Sequence, residues 1–277
     1  MEVIENTGIW RAIRDGLPNT LGLVPTMGYL HEGHLSLVRR ARDENSQVVV
    51  WIFVNPKQFG PGEDFATYPR DMERDLALLR DEGVDYVLAP TVEAMYPPGH
   101  QTTVSVPGLA APLEGASRGG HFDGVSTIVC KMFCLVMPAR AYFGQKDGQQ
   151  CLVVRRMAQD LNMRTEVVIC PTVREPDGLA MSSRNVYLGA AERAEAPALH
   201  RALRACEAAW RTGERDADRL RAAMMGELGS PLLQVEYLSI ADAGTLEECA
   251  TVDGPVMASL AVRLGRTRLI DNLLLGE

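Results

Sequence analysis

The sequence predicts an α/β protein, a doubly wound parallel sheet followed by a smaller α+β domain. Three observations carry this. Short apolar runs ending in turn residues alternate with helix-like segments over residues 21–170. One of these runs, residues 48–54, is apolar on every side, as a strand buried on both faces of a parallel sheet must be. Past Pro171 the texture shifts to Ala- and Arg-rich helical stretches and then to strands.

The elements follow in order. Residues 21–26 read as a strand closing in turn residues, and residues 35–42 as a helix, with Leu35, Val38 and Ala41 near helical spacing. The strand at 48–54 stops at Asn55-Pro56. A charged amphipathic helix covers 70–82 and closes at Gly83. A strand follows at 85–89, stopped by Pro90. Residues 125–137 form a long, mostly apolar helix ended by Pro138. Residues 141–143 are a short strand, 149–162 a helix, and 166–170 a strand ended by Pro171. Repeated β-then-α units build a parallel sheet, and ligands of such sheets sit beyond the carboxyl ends of the strands. In the second part, residues 190–210 are helical, with Pro197 near the first turn or bending it. A second helix covers 216–228, and strands cover 235–240 and 256–264. The Ala/Arg/Glu-rich stretch 190–223 reads as a solvated helical pair. The boundary falls near Pro176, giving domains 1–175 and 176–277.

Composition narrows the function. The chain has 277 residues, 46% apolar and 23% charged, enough for a sizeable core and unlike a disordered or disulfide-stapled chain. A net charge of −8 argues against non-specific binding of nucleic acid. The opening MEVIENTGIW has no apolar core, so it reads as no signal peptide, and no apolar run is long enough to span a membrane. The six cysteines form no C-x-x-C pair and read as buried free thiols of a reducing cytoplasm.

Five segments carry candidate chemistry. The first, residues 25–34, follows a strand and opens a helix, with His31 and His34 three apart on one face. Imidazole donors at a helix N-terminus suit a phosphate and charge developing on a leaving pyrophosphate. The rival zinc reading wants histidines four apart and a third ligand nearby. The second segment is Met181-Ser182-Ser183-Arg184-Asn185, two hydroxyls and a guanidinium in the pattern of a mobile phosphate clamp or of an ordinary polar turn. The third, residues 143–150, follows a strand. There Lys146 can neutralise phosphate or carboxylate, Asp147 can accept from ribose hydroxyls, and Gln150 can hold hydroxyls of an organic acid. The fourth, residues 55–59, leaves the most buried strand and carries Gln58, an amide suited to a hydroxy acid, with Tyr68 downstream. The fifth, residues 118–127, sets Arg118 and His121 among glycines, which suggests close backbone approach to a ligand and then a helix start.

These segments, with PTVREPDGLAMSSRNVYL and the late GRTRLIDN, run in order from about residue 20 to the C-terminus. Together they resemble the pantoate–β-alanine ligase family of the nucleotidyltransferase superfamily. The resemblance implies a Rossmann-like N-terminal domain with a smaller C-terminal domain closing over it, a homodimer, and a cytoplasmic enzyme acting on small molecules. The implied reaction has two steps. Pantoate carboxylate attacks the α-phosphorus of Mg-ATP to give pantoyl adenylate and pyrophosphate. The amine of β-alanine then displaces AMP to give pantothenate. Such a displacement needs positioning and charge stabilisation more than a covalent nucleophile.

By resemblance, His31 and His34 are the phosphate-binding pair, and Gln58 and Gln150 hold pantoate. Lys146 lies near the phosphates, Asp147 binds ribose, and Gly144 lets the ribose approach. Ser182, Ser183 and Arg184 clamp phosphate. Met27, Val173 and Met181 contact ATP and its adenine. Tyr68 and Arg118 receive no role, and direct Mg2+ ligands are unassigned. Two positions depart from the family pattern. Lys57 stands where an apolar residue is usual, adding charge at a crevice edge. Gly148 stands where an aromatic is usual, which is expected to loosen the adjoining loop. Another superfamily enzyme and a non-catalytic nucleotide-binding relative are the alternatives. The two glutamines favour a hydroxy acid over a phosphorylated acceptor. Intact His31, His34, Lys146, Ser182 and Ser183 disfavour a non-catalytic relative.

Overall fold

The computed structural model describes residues 1–276. It divides into two units, residues 1–144 with 149–171, and residues 145–148 with 172 onward.

The first unit is built on six parallel strands in the order β1-β4-β3-β2-β5-β6. They are β1 (Glu2–Ile4), β2 (Leu21–Thr26), β3 (Gln47–Ile52), β4 (Tyr86–Leu88), β5 (Arg140–Gly144) and β6 (Glu166–Cys170). The helices are α1 (Thr7–Arg14), α2 (Glu32–Glu44), α3 (Met72–Asp81), the single turns α4 (Val92–Met95), α5 (Pro107–Ala110) and α6 (Glu114–Ser117), then α7 (His121–Val136) and α8 (Gly148–Asp160). Side chains alternate across a strand, and the central β3 shows the result. Val49 and Trp51, with Phe53 just past the strand, join an apolar core with α7 and α8, while Val48, Val50 and Ile52 join another with α2 and α3. Strand order reverses between β2 and β5, and such a switch point is where doubly wound sheets bind ligands. The segment after β2 begins at Met27, and β5 ends at Gly144.

The second unit holds a three-stranded antiparallel sheet of β7 (Leu233–Asp242), β8 (Val256–Leu264) and β9 (Thr267–Leu275). Its helices are α9 (Ala190–Glu195), α10 (Ala198–Arg211) and α11 (Ala217–Gly226).

Several expectations are corrected. Residues 190–210 are two helices, because Pro197 lacks the N–H that would continue α9 and instead stands at the N-cap of α10. This helical stretch is no merely solvated pair, since Leu199, Leu203, Cys206, Leu220 and Met224 form the core beneath the sheet. Only Cys151, Cys170 and Cys206 are buried. Cys130 and Cys249 are half-buried and Cys134 is exposed, though all six are free. Helix α2 starts at Glu32 and α7 at His121, earlier than apolar periodicity places them, because polar and glycine residues interrupt the apolar pattern of their first turns.

Candidate active site

The turn between β2 and α2 is set by three anchors. Thr26 Oγ1 donates to the Trp51 carbonyl (2.9 Å) and accepts from Gly28 N (3.2 Å). Gly28 has φ +81° and a Cβ there would lie 3.1 Å from Asp75 Oδ2, so the position requires glycine. Asp75, 1% exposed on α3, accepts from Tyr29 N (2.6 Å) and Leu30 N (2.8 Å), holding Tyr29 at φ +51°. Burial raises the Asp75 pKa above its ordinary value despite those two donors.

The turn delivers the histidines. His31 is the N-cap of α2, and its Nδ1 accepts from Gly33 N (3.1 Å). His34 Nδ1 accepts from His31 N (3.3 Å), and the rings lie 4.1 Å apart. An accepting nitrogen carries no proton, so each neutral ring holds its proton on Nε2. The capping bonds therefore set two Nε2–H donors at a helix N-terminus, where anions are favoured.

Gln58 lies in a single 3₁₀ turn, Pro56–Gln58. Its Nε2 donates to Met27 Sδ (3.3 Å) and its Oε1 accepts from Asn55 Nδ2 (3.0 Å), so Met27 and Gln58 come together. Asn55 is itself fixed, donating to Gly124 O (3.1 Å) and accepting from the Tyr96 hydroxyl (2.8 Å). Below Gln58, Arg118 pairs with Glu63 through Nε (2.8 Å) and Nη2 (2.7 Å). His121 Nδ1 donates to the Gln58 carbonyl (2.8 Å), and its Nε2 faces Arg118 Nη1 (3.0 Å). Burial, then the Arg118 charge, pushes His121 down to about 4. Burial pulls Glu63 up, but the Arg118 bonds outweigh it and hold the carboxyl below its ordinary range.

One glycine of residues 118–127 serves the fold: a Cβ on Gly124 would overlap the Lys57 carbonyl and lie 2.7 Å from Gln58 N, so the helix packs closely on the 56–58 turn there. Lys57 is exposed and has two near neighbours. Its Nζ stands 4.8 Å over the Tyr96 ring and 3.3 Å from His100 Nδ1.

The His121 pKa gives a sign. Above pH 6.5 the imidazole is neutral in both folded and unfolded chains. Between 6.5 and about 4 the unfolded chain protonates first, so stability falls as pH falls through that window. His121→Asn, whose amide N–H can still donate to Gln58 O, is expected to lessen the stability lost between pH 7 and 4.5 by about 2 kcal/mol. Urea unfolding at the two pH values measures it, and an equal loss in both proteins contradicts the assignment.

On α8, Gln149 is occupied by Glu114 N, Leu109 O and Pro112 O (3.0, 2.9 and 2.8 Å). Its neighbour Gln150, one residue further along the first turn of α8, is half-buried.

In the second unit, Lys146 and Asp147 share the 3₁₀ turn Gln145–Asp147, with Nζ to Oδ1 at 3.4 Å. Gly148 does not loosen this turn. A Cβ there would lie 2.7 Å from Met257 Sδ and 3.1 Å from Gln145 Nε2, so Met257 already fills the space. Val173 O accepts from Met181 N (3.0 Å) across a tight loop. Ser182 caps the 3₁₀ turn Ser183–Tyr187, its Oγ accepting from Arg184 N (3.3 Å) with a hydroxyl hydrogen that can donate elsewhere. Ser183 is buried and Arg184 half-buried.

The sequence alone assigns no role to Asp75, Asn55, Arg118 or His121. The only signal for Asp75 is an acid in a charged helix, indistinguishable from its solvent-facing neighbours.

The chain resembles known proteins over nearly its whole length. The family model described as pantoate-beta-alanine ligase matches residues 2–274. A pantothenate synthetase of Roseiflexus castenholzii is 60% identical over 276 residues, covering 99% of each chain. A crystal structure of pantothenate synthetase from Thermus thermophilus superposes with a TM-score of 0.95 at 50% identity, covering 99% of both chains. The Francisella tularensis pantoate-beta-alanine ligase, crystallised with beta-gamma ATP and beta-alanine, gives a TM-score of 0.83 at 32% identity, over 99% of this chain and 97% of that one.

Proposed function

The chain belongs to the pantoate–β-alanine ligase family, and from that premise we propose how its residues divide the work of joining pantoate to β-alanine with ATP. The product is pantothenate, after which its relatives are named.

The observation that carries the reading is the paired histidines. Two Nε2–H donors, fixed by caps at the α2 N-terminus, suit phosphate oxygens as pyrophosphate leaves. In the first step pantoate carboxylate attacks the α-phosphorus, forming a P–O bond as the bond to pyrophosphate breaks. In the second, the β-alanine nitrogen attacks the acyl carbon and AMP departs, a far better leaving group than oxide. Gln58 and Gln150 hold pantoate. Lys146 neutralises phosphate, Asp147 receives ribose hydroxyls and Gly144 leaves room for the sugar. Met27, Val173 and Met181 contact ATP and its adenine, and Ser182, Ser183 and Arg184 clamp phosphate.

Magnesium enters as part of the Mg-ATP substrate. Among the described residues no three His, Cys, Asp or Glu side chains gather to cage a cation. Mg2+ characteristically keeps waters and substrate phosphates as ligands. The division at residue 175, which rests on the change of composition past Pro171, the homodimer, which rests on family resemblance, and the cytoplasmic location, which rests on that resemblance and the cysteine pattern, belong to the same proposal. No helix among the described residues is long and apolar enough to cross a membrane.

The test omits each substrate in turn and identifies products by mass. AMP and pantothenate formed only with all three substrates, and pyrophosphate only with pantoate present, support the ligase. AMP-containing final product, or no dependence on pantoate, contradicts it.

A further inference from the structure

The late motif GRTRLIDN has no role in the reaction described above, yet its last two residues are polar, buried and mid-strand. Asp271 and Asn272 on β9 are 2% and 6% exposed. Consecutive residues of a strand face opposite ways, so the two serve different neighbours.

Asn272 faces the Lys146 turn. Its Nδ2 donates to Gln145 O (2.8 Å) and Lys146 O (2.9 Å), and its Oδ1 accepts from Gln145 Nε2 (2.7 Å). One amide thus satisfies two backbone carbonyls and a side chain of a single three-residue turn. Gly148 makes room for it, because a Cβ there would lie 3.2 Å from Asn272 Nδ2. Asp271 faces the loop that carries Val173 and Met181. It takes a bidentate pair from Arg174 (2.5 and 3.0 Å), whose Nη1 also donates to Gly178 O (3.1 Å). Arg174 opposes Ala180 across the root of this loop, next to the Met181 N to Val173 O bond. Asp271 Oδ1 also accepts from Asn272 N (2.9 Å), locking the pair internally. Both residues are held in register by β8, with Leu260 opposite Asp271 and Ser259 opposite Asn272.

We propose that Asp271 and Asn272 are positioning residues that fix two nucleotide-contacting segments, the Lys146–Asp147 turn and the Val173–Met181 loop, to one rigid strand. The proposal rests on the reading of those segments as ATP contacts. Neither residue touches substrate. They set where groups that do so are held, and small displacements of such groups cost much of a rate.

The test uses the full-length enzyme, with initial rates against ATP and against pantoate and a melting temperature for each variant. Asn272→Ala is expected to raise KM for ATP and lower kcat, together costing about tenfold to a hundredfold in kcat/KM for ATP, with KM for pantoate little changed. Asp271→Asn is expected to shift the same parameter in the same direction. Leu269→Ala, a core truncation on the same strand, supplies the control: it lowers the melting temperature and leaves KM for ATP near wild type. Should Asn272→Ala fail to fold, the isosteric Asn272→Asp, which sets a carboxylate against the two carbonyls, takes its place. If the Asn272 and Asp271 variants only lose melting temperature, as Leu269→Ala does, the positioning role is overturned. Lys146→Ala separates the two layers. If it loses turnover while Asn272→Ala keeps it, the positioning role alone fails. If Lys146→Ala keeps wild-type turnover, the underlying site reading fails and the proposal with it.

Discussion

Replacing His34 by asparagine is expected to lower turnover by about 10²–10³-fold, the range for removing one fixed donor to a developing charge, while the protein stays folded. The choice of asparagine follows from the geometry. His34 Nδ1 accepts from His31 N as part of the helix cap. An asparagine oxygen stands where Nδ1 stood and keeps that bond, but nothing replaces Nε2–H. Glutamine does the reverse, placing an N–H near the Nε2 position and giving up the cap. His34→Gln is therefore expected to keep more turnover and lose more stability, by about 1 kcal/mol, the usual worth of a cap. Rates and urea unfolding of both variants check the crossing. A His34→Asn enzyme with wild-type kcat contradicts a phosphate role for His34.

The second large effect belongs to Asp75. Asp75→Ala leaves Tyr29 N and Leu30 N without their acceptor in a buried turn, a loss of about 2–4 kcal/mol for two unpaired donors. It also releases the turn that aims His31 and His34, and misaimed groups cost about a hundredfold in rate. Asp75→Asn retains one acceptor oxygen and is expected to fall between alanine and wild type in both measurements. If Asp75→Ala loses stability but keeps kcat, the turn does not depend on this carboxylate for its catalytic aim.

The contrast between His34 and Asp75 shows what a sequence makes legible. The parallel sheet is readable because residues 48–54 are apolar on both faces, and only a central strand satisfies that. Strand β6 and strand β8 likewise match their apolar runs. Strand β9 escapes such a reading because Asp271 and Asn272 interrupt its apolar pattern, and both depress strand propensity unless tertiary partners take them up. Those partners, Arg174 and the 145–147 turn, are far away in sequence. Helix α1 escapes it for a related reason. Its anchors, Trp10 Nε1 to Leu135 O (2.9 Å) and Arg14 Nε to Val136 O (2.7 Å), lie across the sequence at the end of α7.

The candidate site divides the same way. The residues proposed to carry chemistry sit in short motifs with characteristic spacing, so His31, His34, Lys146 and Ser182 stand out as candidates in the sequence. The residues that brace these segments act through groups of distant segments; Asp75 stands in no motif, and Asn55, His121 and Asn272 fall inside quoted segments that do not say what they hold. Gly148 misleads because an absent side chain says nothing of what fills the space, here Met257.

The measurement closest to the central claim is exchange of labelled pyrophosphate into ATP, with pantoate present and β-alanine withheld. A reversible adenylation before the amine arrives predicts pantoate-dependent exchange, greatly reduced in His34→Asn and Lys146→Ala. Absence of exchange in the wild-type enzyme, with pantothenate still formed once β-alanine is added, contradicts a free-standing pantoyl adenylate and the roles assigned around it.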